Sequence, residues 1–483
     1  MKRKRAGASA ISLCMIVRDE ERFLPDCLES ARGVADEIIV VDTGSSDATV
    51  SIAERFGARV LHHQWRDHFA AARNEALAAA SGQWMLVLDA DERLEQRTAP
   101  RIREAVADPN WENGFLHFIN VTERGPCGRQ WLASRFFRLT PGLRYIGRIH
   151  EQVVQQIPVI RSRIVEATVY HYGYQSLVHE EKQKTARNTR LLERALEDPE
   201  ARDPLLRTNY LYHHANLASG GELVERYEAF ARYVRQSWPR DPPRVPWITA
   251  GLAEYGRILN DVGRHSEARL VAAGLLARHG ESPMLRYLLA RAAAAEGRLE
   301  EAEKELETVL GETAIAAEHL QYTQDPALVR GRAAFLLGLI REKQQRLEEA
   351  ASHYQAAVRE EPDQDRLRAR LVCALVRLGG YREALETLEA SGTLMAQQGF
   401  ECLGLGLALL TESVGRLAFW GGMVSRAAAD FPPAARLLER LEKLGAERTF
   451  RLEDFPELAS AVTLEEDQPG WFAMPQTARS NRG

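Results

Sequence analysis

From about Ser176 onward no stretch of the chain reads as a β-strand, whereas the residues before it alternate strand-like and helix-like segments. That change of texture limits the fold more than any single motif. In the first part, Ile11–Val17, Glu37–Asp42, Arg59–His62 and residues 84–89 are predicted strands, and residues 20–32, 47–56 and 69–80 are predicted helices. Such alternation implies βαβ units and a mostly parallel sheet. After Pro109 the pieces 114–121, 134–139 and 164–171, broken by Gly and Pro, predict further strands in mixed order.

The second part opens with a predicted helix over 176–197 and is rich in Ala and Leu. A short signature recurs in it: Gly263-Arg264-His265-Ser266-Glu267-Ala268, Gly297-Arg298-Leu299-Glu300-Glu301-Ala302, Gln345-Arg346-Leu347-Glu348-Glu349-Ala350 and Gly380-Tyr381-Arg382-Glu383-Ala384. The alanines are 34, 48 and 34 residues apart. A 34-residue period is that of a helix pair repeated side by side, and the middle value equals one period plus an insertion around 311–325. Gly or a polar residue ends one helix, and Glu-Ala opens the next with a residue small enough for close helix contact. Over about 246–391 the pattern resembles the tetratricopeptide (TPR) repeat family.

The chain has 483 residues, 45% hydrophobic and 27% charged, which is the composition of a globular protein. Lys+Arg number 63 against 68 Asp+Glu, a formal net charge of −5, so nothing marks a nucleic-acid partner. Cys14, Cys27, Cys127, Cys373 and Cys402 are odd in number and lack a Cys-x-x-Cys, so neither a disulfide framework nor a zinc site is expected. The basic start Met1-Lys2-Arg3-Lys4-Arg5 leads into an apolar run too short for a signal peptide. No run approaches the roughly 20 apolar residues of a membrane span. A cytoplasmic location without a transmembrane segment is the expectation.

The chemistry concentrates at one predicted sheet edge. Trp84-Met85-Leu86-Val87-Leu88-Asp89-Ala90-Asp91-Glu92 is an apolar run ending in two aspartates. Carboxylates at the carboxyl end of such a strand lie where open α/β sheets bind ligands, and they suit a hard cation such as Mg²⁺ or Mn²⁺ that in turn holds phosphates. The same edge receives Val17-Arg18-Asp19-Glu20-Glu21 after the first strand and Val41-Asp42-Thr43-Gly44-Ser45-Ser46-Asp47 after the second. His68-Phe69-Ala70-Ala71-Ala72-Arg73-Asn74 precedes the fourth.

This ordered set, over about residues 10–175, resembles the family-2 glycosyltransferases, which have the GT-A nucleotide-sugar-binding fold, and within them the branch carrying TPR repeats after the catalytic domain. The resemblance implies an α/β GT-A domain (Rossmann-like, mixed sheet) followed by an all-α TPR-like solenoid. The implied division is a basic disordered tail over 1–10, the transferase domain over 11–175, linking helices and a degenerate repeat over 176–245, repeats over 246–445, and a partly disordered tail over 446–483.

The resemblance also implies roles. Asp42 would accept from a uracil-type ring N–H, while Thr43 and Gly44 let the backbone approach the ribose and Glu20 borders it. Arg73 would contact the diphosphate or base region. Asp91 would bind the metal, Mn²⁺ or Mg²⁺, with Asp89 on sugar or ribose hydroxyls. His171, in Tyr170-His171-Tyr172-Gly173, either completes the metal or diphosphate site or is a histidine satisfied by backbone. Ser45, Ser46 and Asp47 double as an N-cap for the following helix.

Inverting transfer needs a general base for the acceptor. Glu151, in Gly147-Arg148-Ile149-His150-Glu151, is the candidate, its alternative being an ion pair with Arg148 or Arg138. The partners would be a nucleotide-sugar, a peptide, protein or glycan acceptor, and a protein or second copy held by the repeats. A zinc protease is excluded, since His150-Glu151 lacks a His-Glu-x-x-His helix. A nucleotidyltransferase would carry a Gly-rich basic loop where Arg18-Asp19-Glu20-Glu21 stands. The rival from another class is a repeat scaffold with an inactive transferase domain.

Overall fold

The computed structural model describes residues 10–439 apart from 109, 123–124, 155–160, 174–177, 244, 312–325, 363, 392–399, 412–413 and 428–433. The insertion read between the second and third repeat signatures lies, but for Gly311, outside the described residues. The chain divides into two compact units at Gly251/Leu252.

The first unit is built on an eight-stranded mixed sheet. Its strands are β1 (Ile11–Val17), β2 (Glu37–Asp42), β3 (Arg59–His62), β4 (Trp84–Val87), β5 (Glu92–Leu94), β6 (Asn113–Thr122), β7 (Gly125–Arg138) and β10 (Ser162–His171), in the order β3-β2-β1-β4-β7-β6-β10-β5. β8 (Arg144–Ile146) and β9 (Gln152–Val154) form a separate antiparallel pair. β3, β2, β1 and β4 run parallel, and β7 then enters antiparallel against β4. The parallel half is Val-, Ile- and Leu-rich because both of its faces are covered. Leu13, Trp84 and Leu86 pack on one face, and Cys14, Met85 and Val87 on the other, beneath α3 (Phe69–Ala79). Trp84 lies between Trp111 and Phe136, at centroid distances of 4.1 and 5.1 Å.

Two departures from the sequence reading have simple causes. The strand expected over 84–89 stops pairing at Val87, which frees Leu88 to Asp91 to turn back into β5. The strand expected over 134–139 begins at Gly125, because β7 forms a long hairpin with β6 and needs no apolar alternation at its outer end. Ser12, a polar residue in the middle of β1, is explained by its neighbours: its hydroxyl donates to Glu37 and accepts the Gly82 N–H at 2.9 Å.

Helices α5 (Val178–Glu197), α6 (Pro204–Asn216) and α7 (Gly221–Ser237) complete this unit. Leu191, Leu192 and Ala195 of α5 form a buried cluster with Leu206 and Tyr210 of α6 and Ile149.

In the second unit the described residues form helices without strands. They include α9 (His265–His279), α10 (Pro283–Ala295), α11 (Leu299–Gly311), α12 (Pro326–Lys343), α13 (Leu347–Glu360), α14 (Asp365–Arg377) and α15 (Tyr381–Glu389), after α8 (Pro246–Asp261), which spans the divide. The signature alanines 268, 302, 350 and 384 are fully buried between paired helices. Each first helix ends in the same way. Gly263, Gly297, Gln345 and Gly379 take φ of 79°, 79°, 63° and 78°. The next N–H then reaches back to the carbonyl five residues earlier, as from Arg264 to Leu259 and from Arg298 to Ala293, both 2.8 Å. This closure satisfies carbonyls that would otherwise be orphaned at a helix end. The architecture fits a TPR-like solenoid. No helix among the described residues is long and apolar enough to cross a membrane.

Candidate active site

The carboxyl ends of β1, β2 and β4 deliver three loops to one edge of the sheet, and β7, β10 and the β8–β9 connection supply the rest. Asp89 and Asp91 sit in the turn between β4 and β5, and Glu92 is the first residue of β5. His171 ends β10, in register with Asn120 of β6 and Glu92 of β5.

The sheet edge holds a chain of alternating charges. Arg73, buried on α3, donates its Nε to Glu151 and its Nη2 to Asp89 at 3.0 Å. The second Asp89 oxygen takes Arg135 Nη2 at 3.1 Å, and the same nitrogen donates to Glu92 at 2.5 Å. Glu92 also accepts the Asp89 N–H at 2.9 Å. Burial would raise the Asp89 carboxyl, but the two guanidiniums outweigh it and hold Asp89 well below the usual carboxylate range. Glu92 goes the other way, to about 7, because burial and the neighbouring Asp89 and Asp91 exceed the help from Arg135. A cavity of about 360 Å³ opens against Arg73, Arg135 and Glu151, with Tyr145, Phe137, Gln152, Asn113 and Ser134 also in its wall.

Beside this chain lies a second group. Asp91 Oδ2 faces His171 Nε2 at 3.4 Å, and His171 Nδ1 meets Asn120 Oδ1 at 3.0 Å. An amide oxygen can only accept, so Nδ1 carries the proton and Nε2 is turned to the carboxylate. In the neutral ring that aims two acceptors at one another, an arrangement relieved by a proton or a cation between them. Hydrogen bonding to Asp91 and the surrounding carboxylates raise the His171 pKa despite burial, as expected of a field that draws positive charge. Gly173 abuts the pair: a Cβ there would press on Asp91 Oδ2 and come within 2.8 Å of His171 Nε2. Among the described residues no group of three or more His, Cys, Asp or Glu side chains forms a metal cage. Two protein ligands suit a cation that takes its remaining ligands from phosphates and water.

Glu20, in the loop after β1, is pushed up to about 7 by burial and then by Asp91, Asp89, Asp47 and Asp19. Asp42, buried at the end of β2, stands apart from the charge chain. Its oxygens accept from Gly44 N (3.2 Å), Ser45 N (3.0 Å) and His62 Nδ1 (3.4 Å), and these bonds overcome burial to keep it ionised. Thr43 donates its hydroxyl to Val17 O at 3.1 Å, tying the β1 and β2 ends together. Gly44 has φ 109° and open space where a Cβ would stand.

Several expectations need correction. Neither Arg148 nor Arg138 pairs with Glu151. Arg148 is held by Asp198, and the Arg138 guanidinium covers Trp84 at 4.6 Å. The partner of Glu151 is Arg73, the residue expected on the diphosphate or base region. Ser45 and Ser46 do not cap α2 (Thr49–Arg55). They reach across to Asp19, while Asp47 accepts the Thr49 N–H at 2.9 Å. His171 is satisfied by side chains and not by backbone alone. Sequence reasoning missed Arg135 and Glu92, although a charged residue between Ser134 and Phe136 in an apolar strand was a visible signal.

Residues 12–141 match the family described as Glycosyl transferase family 2. A TPR repeat-containing protein of Synechococcus elongatus is 41% identical over 179 residues, 35% of this chain and 43% of that one. The SPbeta prophage-derived glycosyltransferase SunS of Bacillus subtilis is 27% identical over 209 residues, 40% of this chain and 46% of that one. The chain thus spans less than half the length of these curated relatives. Among solved structures, S. aureus TarS 1–349 is 14% identical and aligns over 61% of this chain and 91% of that one at a TM-score of 0.29. The N-terminal unit therefore contains, over residues 12–141, a stretch that matches glycosyl transferase family 2 on a mixed sheet, and TPR-like helices follow it.

Proposed function

We propose that the protein is a metal-dependent inverting glycosyltransferase that moves a sugar from a UDP-sugar to an acceptor hydroxyl or thiol. The observation that carries this reading is the convergence, on one sheet edge, of Asp91 facing His171 with the chain Glu151–Arg73–Asp89–Arg135–Glu92. Asp91 and His171 would hold Mn²⁺ or Mg²⁺ together with the donor phosphates. When bound, such an ion neutralises charge on the leaving diphosphate.

The chain's own residues supply the rest. Asp42, Thr43 and Gly44 border the nucleoside, with Glu20 at the ribose, and Asp89 orients sugar hydroxyls because two guanidiniums fix both of its oxygens. The acceptor enters the cavity beside Glu151, whose carboxylate takes the acceptor proton. The acceptor oxygen bonds to the anomeric carbon as the bond to the diphosphate breaks, and the electron pair leaves with the diphosphate, near Arg73. The helical repeats offer a surface for a peptide or protein acceptor or a partner.

A scaffold with a silent transferase domain is the alternative, and one observation favours it: Glu151 is already bound by Arg73. Calorimetry and thermal shift with nucleotide diphosphates and nucleotide-sugars, with and without Mn²⁺, decide between them on wild type and Asp91→Ala. Metal-dependent UDP binding lost in the variant is expected. No nucleotide binding under any condition would leave the scaffold reading.

A further inference from the structure

The loop that carries Glu151 is gripped from behind by residues outside the stretch matching the transferase family. We propose that His213 on α6 is a positioning residue for Glu151, acting through a ring stack on His150, so that α6 belongs to the catalytic centre. This inference rests on the role of Glu151 given above.

His150 precedes Glu151 and has φ 52°, a left-handed backbone that is uncommon for a residue with a side chain. The His150 ring lies on the His213 ring at a centroid distance of 3.5 Å and an interplanar angle of 7°. Both imidazoles are neutral near pH 7. Loss of hydration pushes His150 down to about 4, and loss of hydration together with the neighbouring His150 pushes His213 well below its usual range. Two charged rings could not stack at this distance, so the neutral state and the stack support one another.

The same loop is fastened along its length. The Arg148 N–H donates to Tyr210 Oη on α6 at 2.9 Å, and its guanidinium grips both oxygens of Asp198 at 2.8 and 3.0 Å. On the other side the Gly147 and Arg148 carbonyls accept the N–H groups of Ala70 and Phe69, at 3.3 and 2.8 Å. Those two residues open α3, the helix that carries Arg73. One loop therefore sets both ends of the Arg73–Glu151 pair, and His213 governs its last residue before the carboxylate.

The test uses the full chain with Mn²⁺, reading UDP released from a panel of UDP-hexoses with water as the acceptor of the sugar for turnover, and calorimetry with UDP for binding. His213→Ala is expected to lower kcat at least about 10-fold, in keeping with the sensitivity of catalysis to misplacement by an ångström, with the Kd for UDP unchanged within about twofold. His213→Phe, which preserves a flat stacking ring, is expected to recover turnover to within about threefold of wild type. Tyr210→Phe, which removes the acceptor of the Arg148 N–H, gives a second route to the same loss should His213→Ala fail to fold. Wild-type turnover in His213→Ala, or in Tyr210→Phe where it stands in, overturns the proposal, as does an equal loss of UDP binding or equal damage from Phe and Ala. Glu151→Gln separates the premise: full turnover in that variant, or none in wild type, removes the base role and the positioning role with it.

Discussion

The two units of this protein arrange charge differently. On the helical repeats, arginine and glutamate pair three residues apart on exposed turns, as in Arg264–Glu267 and Arg346–Glu349, both at 2.7 Å, while the core is Ala and Leu. Pairs of that kind contribute at most about 1 kcal/mol each. The repeats also bury Arg291 and Arg341, each against a carboxylate (Asp261 at 2.8 Å and Glu303 at 2.6 Å), but in the sheet unit the buried charges are linked in one chain. Arg73 and Glu92 are buried, and every link from Glu151 to Glu92 depends on its neighbours. A buried pair adds little net stability over an apolar equivalent, yet removing one member strands the other. The contrast separates charge spread over repeated helix turns from charge gathered into one chain at a sheet edge.

The contrast breaks most directly at Arg73. Arg73→Ala leaves Asp89 and Glu151 without their shared partner, so a stability loss of about 3 kcal/mol is expected along with loss of UDP-sugar turnover, read by urea unfolding and UDP release. The repeat pair Arg346→Ala, measured in the same way, should change stability by less than about 1 kcal/mol.

Gly173→Ala is a finer cut at the same site. Its methyl would enter the space of Asp91 and His171, and Mn²⁺-dependent UDP binding should weaken at least about 10-fold, or about 1.4 kcal/mol, in calorimetry. Binding at wild-type strength would mean that Asp91 and His171 do not serve the donor.

A pH dependence should also belong to the sheet unit. His150 and His213 bind a proton in the unfolded chain near pH 6.5 but resist it when folded. Their contribution is therefore complete above pH 6.5 and is lost as the pH falls toward 4. Melting temperature followed over that window should fall less steeply in His213→Phe than in wild type.

Two smaller tests belong to the repeats. Ala302→Leu forces a larger side chain between paired helices and should cost about 1–3 kcal/mol in urea, with UDP affinity unchanged. Gln345 occupies the position where Gly263, Gly297 and Gly379 stand in the other signatures, at φ 63°. Gln345→Gly should therefore stabilise the chain by about 0.5–1 kcal/mol.

How much was legible in the sequence follows the same division. The repeats were readable because their determinants are local: a left-handed helix end, a small alanine, a fixed period. The first two strands were readable for a similar reason, since buried parallel strands are short apolar runs. Asp89, Asp91 and Arg73 stood out by their place at strand ends and in an ordered motif set. Arg135 did not, because its importance comes from the antiparallel entry of β7 beside β4, a pairing no local pattern announces. The partner of Glu151 was equally hidden, lying 78 residues away on α3.

The order of the first four strands and the helices between them, the buried apolar faces, the repeat period and the acidic character of the sheet edge were thus set by the sequence alone, since each depends on residues close together in the chain. The tertiary structure decided which charges meet. It closed Arg73 on Glu151, set Arg135 between Asp89 and Glu92, turned His171 toward Asp91 and laid His213 on His150. Those pairings join residues tens of positions apart, and only the crossing of strands and the packing of α3 and α6 bring them within reach.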